Sequence, residues 1–561
     1  MSYIIGISAY YHDSSACLFK DGELIFACEE ERFTGIKHDA SFPNKTLKHI
    51  FEKYNLTKED IEVVCYYENI DKKIKRVWKN SKKQFFKNPV FSIKTLFSVI
   101  KNKIEIKNNL SKISKKIFYT DHHVSHACYS FYSSDFDDAV ILSIDGVGES
   151  ITTQVSLVNK YEKKLHHVSI SEYPHSLGLF YSAMTSFLGF KPNEGEYKMM
   201  GLAPYGNPKR YRDKIDKLIS YKNGYLKCNM ECFIWDRSEN IMFNHHLSEI
   251  MGCSNRLPEE KIKSHHMDIA AAVQEKYETI FSKIISETET VTSNELKNLC
   301  LGGGCAYNGT SNGKITRYSK YRNIWIPPSP SDSGSAIGSC LYYLEKNNKL
   351  NKRLNKSPFL GPEYKQVDYL KAIEKNNLKF STYGWYDLIQ VVAKYLSEGK
   401  VVGWFQGRIE FGSRALGNRS ILADPTKQGM QAKINKVIKK RESFRPFAPM
   451  VTKEKQTEYF NYDLDVPYMN QVVKIKNEFI GKLPAITHID GSARIQTVTE
   501  ENKIHDLLLE FEKISGYPIL LNTSFNVKDK TMVLTPEDAV FTFLDTEMDI
   551  LVLGNNLIKK Q

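Results

Sequence analysis

His122 and His126 stand four residues apart in Asp121-His-His-Val-Ser-His-Ala127. On a helix that spacing puts both imidazoles on one face, where their nitrogens can converge on one ion. Two histidines can also cap or pack, so the pair alone leaves a metal undecided. Two carboxylates strengthen it. Asp145 ends the apolar run Ala139-Val-Ile-Leu-Ser-Ile-Asp145 beside a glycine loop, and Asp332 lies in Pro327-Pro-Ser-Pro-Ser-Asp-Ser-Gly-Ser335, a turn-rich loop expected to fix its side chain. Two imidazoles with two carboxylates suit Fe(II), Mn(II) or Zn(II), whereas magnesium prefers oxygen ligands throughout.

Other residues suggest anion chemistry. The segment from Gly403 to Ser420 mixes glycine with arginine, and Arg414 and Arg419 can offer forked N–H groups to phosphate oxygens. Lys439, Arg441, Arg445 and Arg494 add positive charge, while Asn522, Ser524 and Asn526 add amide and hydroxyl groups. Earlier in the chain, Asn298-Leu-Cys-Leu301 leads into Gly302, Gly303 and Gly304 and a helix expected from Ala306 through Lys320. That strand, glycine and helix order brings backbone N–H groups close to a nucleotide. His12 follows the first strand and is a candidate general base, although it could merely bond Asp13. Lys37 could neutralise a developing oxyanion or phosphate charge.

The elements that position these groups read as strands and tight turns. Ile4–Ser8, Ala16–Phe19 and Glu23–Ala27 are expected strands, with Asp21-Gly22 turning the last pair. Residues 139 to 157 repeat that grammar, as a duplicated ATPase core of the actin and sugar-kinase kind would. A polar, basic stretch from Lys346 to Pro362 reads as a linker between a domain of residues 1–350 and another of residues 362–561. The second opens on a helix near Leu388–Leu396 and a strand at Lys400–Phe405, and closes on a strand at Asp549–Leu553.

Composition narrows the class. With 561 residues, 41% hydrophobic and 25% charged, the chain suits two globular domains, and no apolar run is long enough to cross a bilayer. The start of the chain lacks a signal-peptide pattern, so a cytoplasmic location is expected. Ten scattered cysteines, mostly in apolar stretches, read as buried thiols, and the Cys228/Cys232 pair lacks the partners of a zinc site. The net charge of +13 is confined to residues 71–117, which carry 15 Lys or Arg against Asp71 and Glu105. That segment reads either as a helical insertion with a buried aromatic face or as an amphipathic flap that contacts anionic lipid. Nucleic acid is not an expected partner.

The motifs Tyr11-His-Asp-Ser-Ser-Ala16, Glu29-Glu-Glu-Arg-Phe-Thr34 with Lys37-His38, and His122-His-Val-Ser-His126 resemble the NodU/CmcH family of O-carbamoyltransferases. Glu194 through Tyr205, the Gly302–Gly304 loop with Asn308, and Asp332 continue the match in order. The resemblance implies an α/β chain with an N-terminal actin-like, duplicated ribonuclease-H-like domain of the threonylcarbamoyl-transferase type. A C-terminal YrdC-like α/β domain would follow it. It also implies a metal, Fe(II) foremost, held by His122, His126, Asp145 and Asp332, a nucleotide along Lys198, Gly302, Gly303, Gly304 and Asn308, and catalysis by His12 and Lys37. In the second domain ATP, with magnesium, and carbamoyl phosphate would form carbamoyladenylate on the residues from Arg414 to Asn526 named above. The acceptor implied is a hydroxyl of a small molecule: a saccharide, a nucleotide- or lipid-linked glycan, or a natural product. A sugar kinase would explain the glycine loop but neither the arginine-rich half nor the histidine pair. A tRNA-modifying scaffold would rest on the basic segment alone.

Overall fold

Tyr3–Ser8 (β1), Ser15–Lys20 (β2) and Glu23–Glu29 (β3) lie side by side, with Asp21 and Gly22 both at positive φ, as a two-residue hairpin turn requires. Ile61–Tyr66 (β4) and Ile117–Tyr119 (β5) extend the sheet in parallel beyond β1, giving the order β3-β2-β1-β4-β5. The same plan recurs. Ala139–Ile144 (β6), Ile151–Val158 (β7) and Leu165–Glu172 (β8) form an antiparallel meander. After a small hairpin, Ile219–Lys222 (β9) and Tyr225–Cys228 (β10), the strands Asn298–Gly302 (β11) and Asn323–Trp325 (β12) join β6 in parallel. The order β12-β11-β6-β7-β8 repeats the first sheet strand for strand. Every residue of β6 is buried, as befits a strand covered on both faces.

The computed structural model describes residues 2–86, 88–159, 164–238, 241–291, 296–350, 353–442 and 444–560. The chain is mixed α/β and divides into two compact units, Met1–Phe26 with Ala40–Lys356, and Ala27–Asp39 with Ser357–Gln561. Assigning everything before residue 350 to the first domain is therefore corrected for residues 27–39. Ala27 N donates to Leu360 O (3.2 Å), Gly412 N to Glu29 Oε1 (2.6 Å) and Arg32 Nη2 to Gly412 O (2.8 Å). These long-range bonds fix the segment in the second unit.

That unit is built on Phe380–Thr382 (β13), Val402–Phe405 (β14), Arg419–Ala423 (β15), Ala448–Thr452 (β16), Gln496–Val498 (β19), Ile519–Ser524 (β20), Ile550–Leu553 (β21) and Asn556–Lys559 (β22). Their order is β13-β22-β21-β14-β15-β20-β16-β19, and Val472–Lys474 (β17) pairs separately with Ser492–Arg494 (β18). The two-residue period of the strands divides the core. Trp404, Leu422, Leu520 and Val552 pack with helices Trp385–Ser397 and Ile504–Ser515, while Phe405, Ile421, Leu521 and Leu551 fill a second cluster.

Three local expectations change. The helix foreseen from Ala306 to Lys320 is broken into Gly304–Tyr307, Gly309–Asn312 and Ile315–Tyr318, because Asn308 caps and Gly313 ends the short middle turn. Asp332 opens the helix Asp332–Lys346 instead of lying in a loop. The basic insertion forms two helices, Ile70–Gln84 and Pro89–Ile113, whose large apolar side chains are partly exposed. All ten cysteines are free, and eight are buried. Among the described residues no helix is long and apolar enough to cross a membrane.

Candidate metal centre and anion site

Helix His122–Tyr132 packs against helix Asp332–Lys346, and Gly338 permits the approach: a Cβ there would lie 1.8 Å from Ser125 O. β6 ends at Ile144, so Asp145 leaves the sheet edge toward the same place. His122 Nε2 is 2.9 Å and His126 Nε2 3.2 Å from Asp145 Oδ2, and the two ring nitrogens are 3.1 Å apart. Asp332 Oδ1 lies 3.6 and 3.5 Å from the same nitrogens. One donor atom from each residue falls within 4.8 Å of every other.

All four side chains are buried, and neither oxygen of the fully buried Asp332 has a hydrogen-bond partner among the described residues. A carboxylate in that setting is strongly unfavourable unless a cation offsets it. Two converging imidazoles cannot supply protons to each other and to both carboxylates at once, so the donor set fits a divalent ion. The outer contacts orient the donors. Ser335 Oγ lies 3.0 Å from His126 Nδ1, and Asp145 Oδ1 accepts from Gly146 N (2.8 Å) and Gly304 N (3.3 Å). Glu149 accepts the backbone N–H groups of His122 (2.9 Å) and Asn69 (2.6 Å), fixing the start of the histidine helix.

Burial opposes a charged His126, yet bonds and charge from Asp145 and Asp332 push it up to about 9. His12 behaves alike: burial lowers it, but Asp332 and the bonded Asp13 carry it to about 10. Its Nδ1 is 3.0 Å from Asp13 Oδ2, and its Nε2 is 3.9 Å from Asp332 Oδ2. Both upward shifts measure the excess negative charge of the protein donors. Arg76, from the basic insertion, donates to Gly148 O (2.7 Å) and lies 5.0 Å over the Tyr173 ring.

The glycine loop serves the metal group. Gly303 has φ 83°, and a Cβ there would meet Ile144 O at 2.2 Å, so only glycine fits. Its N–H donates to Pro330 O (2.8 Å), while that of Gly304 goes to Asp145. A Cβ at Gly302 would meet Ser130 Oγ at 2.7 Å. Asn308 exchanges hydrogen bonds with Gln274 (3.0 and 3.2 Å) and caps Ser311 N, so its amide braces helix Ser264–Val291 instead of facing outward as a nucleotide ligand. Lys198 lies on helix Glu196–Leu202, which packs on that same helix.

In the second unit, the fully buried Glu410 accepts backbone N–H groups of Leu416 (2.8 Å), Asn418 (2.8 Å) and Arg419 (3.1 Å). It thereby shapes the loop that carries Arg414. Arg419 is corrected from anion ligand to structural brace. It is fully buried 3.6 Å over the Phe405 ring, and its terminal nitrogens donate to the carbonyls of Gln406, Asn418 and Gly407. Asn522 Nδ2 likewise braces Ala415 O (3.0 Å) and Gln496 Oε1 (3.0 Å).

Lys439 follows a π-helical turn, Ile434–Ile438, a local distortion that re-aims a side chain. Its ammonium reaches Ser524 O (2.6 Å), Ser524 Oγ (3.2 Å), Asn526 O (2.9 Å) and Asn526 Oδ1 (2.5 Å). Burial, then Arg441, Arg445 and Lys37, hold it well below the usual lysine range. Burial, then Arg414, Arg441 and Arg445, do the same to Arg494, whose buried Nε has no hydrogen-bond partner among the described residues. Lys37 thus acts on Lys439 within the second unit. Arg441 Nε is held by Asn435 Oδ1 (2.7 Å), and Arg445 lies 3.4 Å from Glu442. So dense a gathering of cations suits a polyanion.

Residues 3–341 match the family described as carbamoyltransferase N-terminus, and residues 393–560 match the carbamoyltransferase C-terminus. The chain belongs to the carbamoyltransferase family. It is 38% identical over 609 aligned residues to an uncharacterized protein, sll1178, of Synechocystis, covering all of this chain and 97% of that protein. It is 32% identical over 574 residues to the nodulation protein NolNO of Sinorhizobium fredii, covering 99% of this chain and 80% of the relative. Component A of the Acidaminococcus fermentans (R)-2-hydroxyglutaryl-CoA dehydratase overlaps 62% of this chain and all of its own, at 15% identity and a TM-score of 0.33, too slight a likeness to bear on the fold. The protein is accordingly an enzyme that transfers carbamoyl groups. Sequence reasoning about this carbamoyltransferase missed Ser335, Glu149, Glu410 and Arg76. Ser335 was legible, three residues after Asp332 and so on the same helical face. Arg76 was masked by the basic run around it.

Proposed function

We propose that this carbamoyltransferase activates the carbamoyl group with ATP in its second unit and transfers it to an acceptor hydroxyl at the His122/His126/Asp145/Asp332 centre of its first. The observation that carries the reading is the buried Lys439 and the half-buried Arg494, set among further cations and held low first by burial and then by those charges. Carbamoyl phosphate and the triphosphate of ATP are anions of the right density for it. In the proposed activation, water cleaves carbamoyl phosphate to carbamate and phosphate. A carbamate oxygen then attacks the α-phosphorus of ATP, carried with magnesium, and pyrophosphate leaves with carbamoyladenylate formed. Arg414, Arg441, Arg445, Arg494 and Lys37 stabilise the phosphate charges, and Lys439 is kept in place by Ser524 and Asn526.

At the first centre, a divalent ion, Fe(II) by the resemblance and Mn(II) or Zn(II) by the same donors, would supply Lewis acidity toward a carbonyl or phosphoryl oxygen. His12 is the proposed base. Asp13 holds its Nδ1, which leaves Nε2 to take the hydroxyl proton as the acceptor oxygen attacks the carbamoyl carbon and adenylate departs. The acceptor proposed is a saccharide hydroxyl, free or nucleotide- or lipid-linked, and the setting cytoplasmic. The repeated five-strand order supports an actin-like first unit; a YrdC-like second unit rests on the resemblance. The test is product analysis with labelled ATP. Pyrophosphate and AMP that appear only with carbamoyl phosphate support the reading, whereas ADP would place the chemistry with kinases.

A further inference from the structure

The helix Pro89–Ile113 is apolar on two faces. Val99, Ile106, Leu110 and Ile113 are buried against the first unit. Phe86, Val90, Ile93, Phe97, Ile100 and Ile104 are exposed, Phe86 at 95%, Val90 at 75% and Phe97 at 71%. From Val90 to Ile104 the spacing of three and four residues in alternation aligns five of them in one stripe along the helix, and Phe86 stands in the turn before it. By the same helical repeat Lys94 and Lys101 border one edge of the stripe, and Lys103 and Lys107 border the other. Trp78, on the helix Ile70–Gln84, and Phe85, which caps it, add exposed aromatic surface.

The hairpin that carries the stripe is anchored. Gln84 Nε2 bonds Asp236 Oδ2 (3.1 Å), Asn109 bonds Tyr10 (2.7 Å), and Lys103 pairs with Asp71 (2.5 Å). The apolar face is therefore presented by a fixed element.

We propose that this stripe docks the enzyme on the surface of an anionic phospholipid bilayer, the helix lying in the headgroup plane with its phenylalanines inserted. Charge decides the occupant. The segment 71–117 holds an excess of 13 positive charges, equal to that of the whole chain. Lysines along both edges of an apolar stripe meet lipid phosphates while the stripe enters the acyl boundary, and each lysine near such a surface strengthens binding by about fivefold. A second copy of the chain would instead bring two lysine-bordered stripes together, juxtaposing like charges along both edges.

The test is flotation of the full-length protein with vesicles of phosphatidylcholine alone or mixed with phosphatidylglycerol. Binding is expected to the mixed vesicles only and to weaken with salt. Phe86→Ser with Phe97→Ser should lower the bound fraction at least tenfold, and Lys94→Glu with Lys101→Glu should do likewise, at unchanged thermal midpoint. Flotation of neither vesicle at low salt, or equal flotation of wild type and variants, overturns the proposal. So does lipid-free dimerisation, seen by sedimentation equilibrium, that Phe97→Ser abolishes, since the stripe would then belong to a second copy.

Discussion

Replacing Arg494 by methionine is expected to act in opposite directions on the free enzyme and on its anion complex. The side chain sits among Arg414, Arg441 and Arg445, and burial together with those charges depresses it well below the arginine range. For two unit charges about 7 Å apart at an effective dielectric constant near 20, Coulomb repulsion is about 2 kcal/mol. Partial exposure and salt reduce the sum over neighbours, so relief of about 1 to 2 kcal/mol is the expected gain in stability. Methionine keeps the apolar stem and leaves no buried donor behind. The same change removes a charge-assisted contact to phosphate worth about 2 to 3 kcal/mol, or roughly 30- to 150-fold in affinity. Urea denaturation of the ligand-free protein and calorimetric titration with tripolyphosphate read the two effects. A variant less stable than wild type, or one that binds tripolyphosphate undiminished, refutes the charge argument.

His126→Ala and Asp332→Ala should each lower bound metal, read by plasma mass spectrometry, and abolish transfer to the acceptor while leaving pyrophosphate release dependent on carbamoyl phosphate. Equal loss of both half-reactions in a folded protein would contradict the division of labour. Gly338→Val should push helix His122–Tyr132 away, because a Cβ already meets Ser125 O at 1.8 Å; metal affinity is expected to fall at least tenfold, with a lowered thermal midpoint. Burial holds the Glu29 carboxyl up to about 7 despite Arg32, so its favourable contribution is complete below the unfolded value near 4.5 and is lost as pH rises through about 7. Glu29→Gln keeps an acceptor for Gly412 N–H and should stabilise the protein by about 3 kcal/mol near pH 8 but little near pH 5; equal effects at both would show that the carboxyl titrates normally.

Much of the first unit was legible because its strands are short apolar runs bounded by turn residues, and because β6 ends on Asp145 beside glycines. The histidine pair was legible from helical spacing. What the chain order hides is tertiary. Residues 27–39 fall within the expected first domain, yet Glu29 and Arg32 find their partners at Gly412, some 380 residues on. Arg419 has the neighbours of a phosphate ligand, but it begins β15 in the middle of a sheet, and burial over Phe405 commits its fork to carbonyls. The helix expected after Gly304 ignored how often Asn and Gly punctuate residues 308–313. The aromatic residues of the insertion leave a buried face and an amphipathic flap both open, because helical spacing cannot tell an inner stripe from an outer one.

The two sites carry opposite electrostatic signs. At the first centre buried carboxylates raise His126 and His12 against the effect of burial; at the second, burial and then the neighbouring cations depress Lys439 and Arg494. Each arrangement raises the free energy of its own unit and is relieved by a ligand of the other sign. A divalent cation should therefore raise the melting temperature through the first unit, and a polyphosphate through the second. Salt should weaken the exposed edge of the anion site more than the fully buried metal donors. Because the two reliefs reside in different units, they should be separable: Asp332→Ala removes the metal effect and keeps that of tripolyphosphate, and Arg494→Met does the reverse.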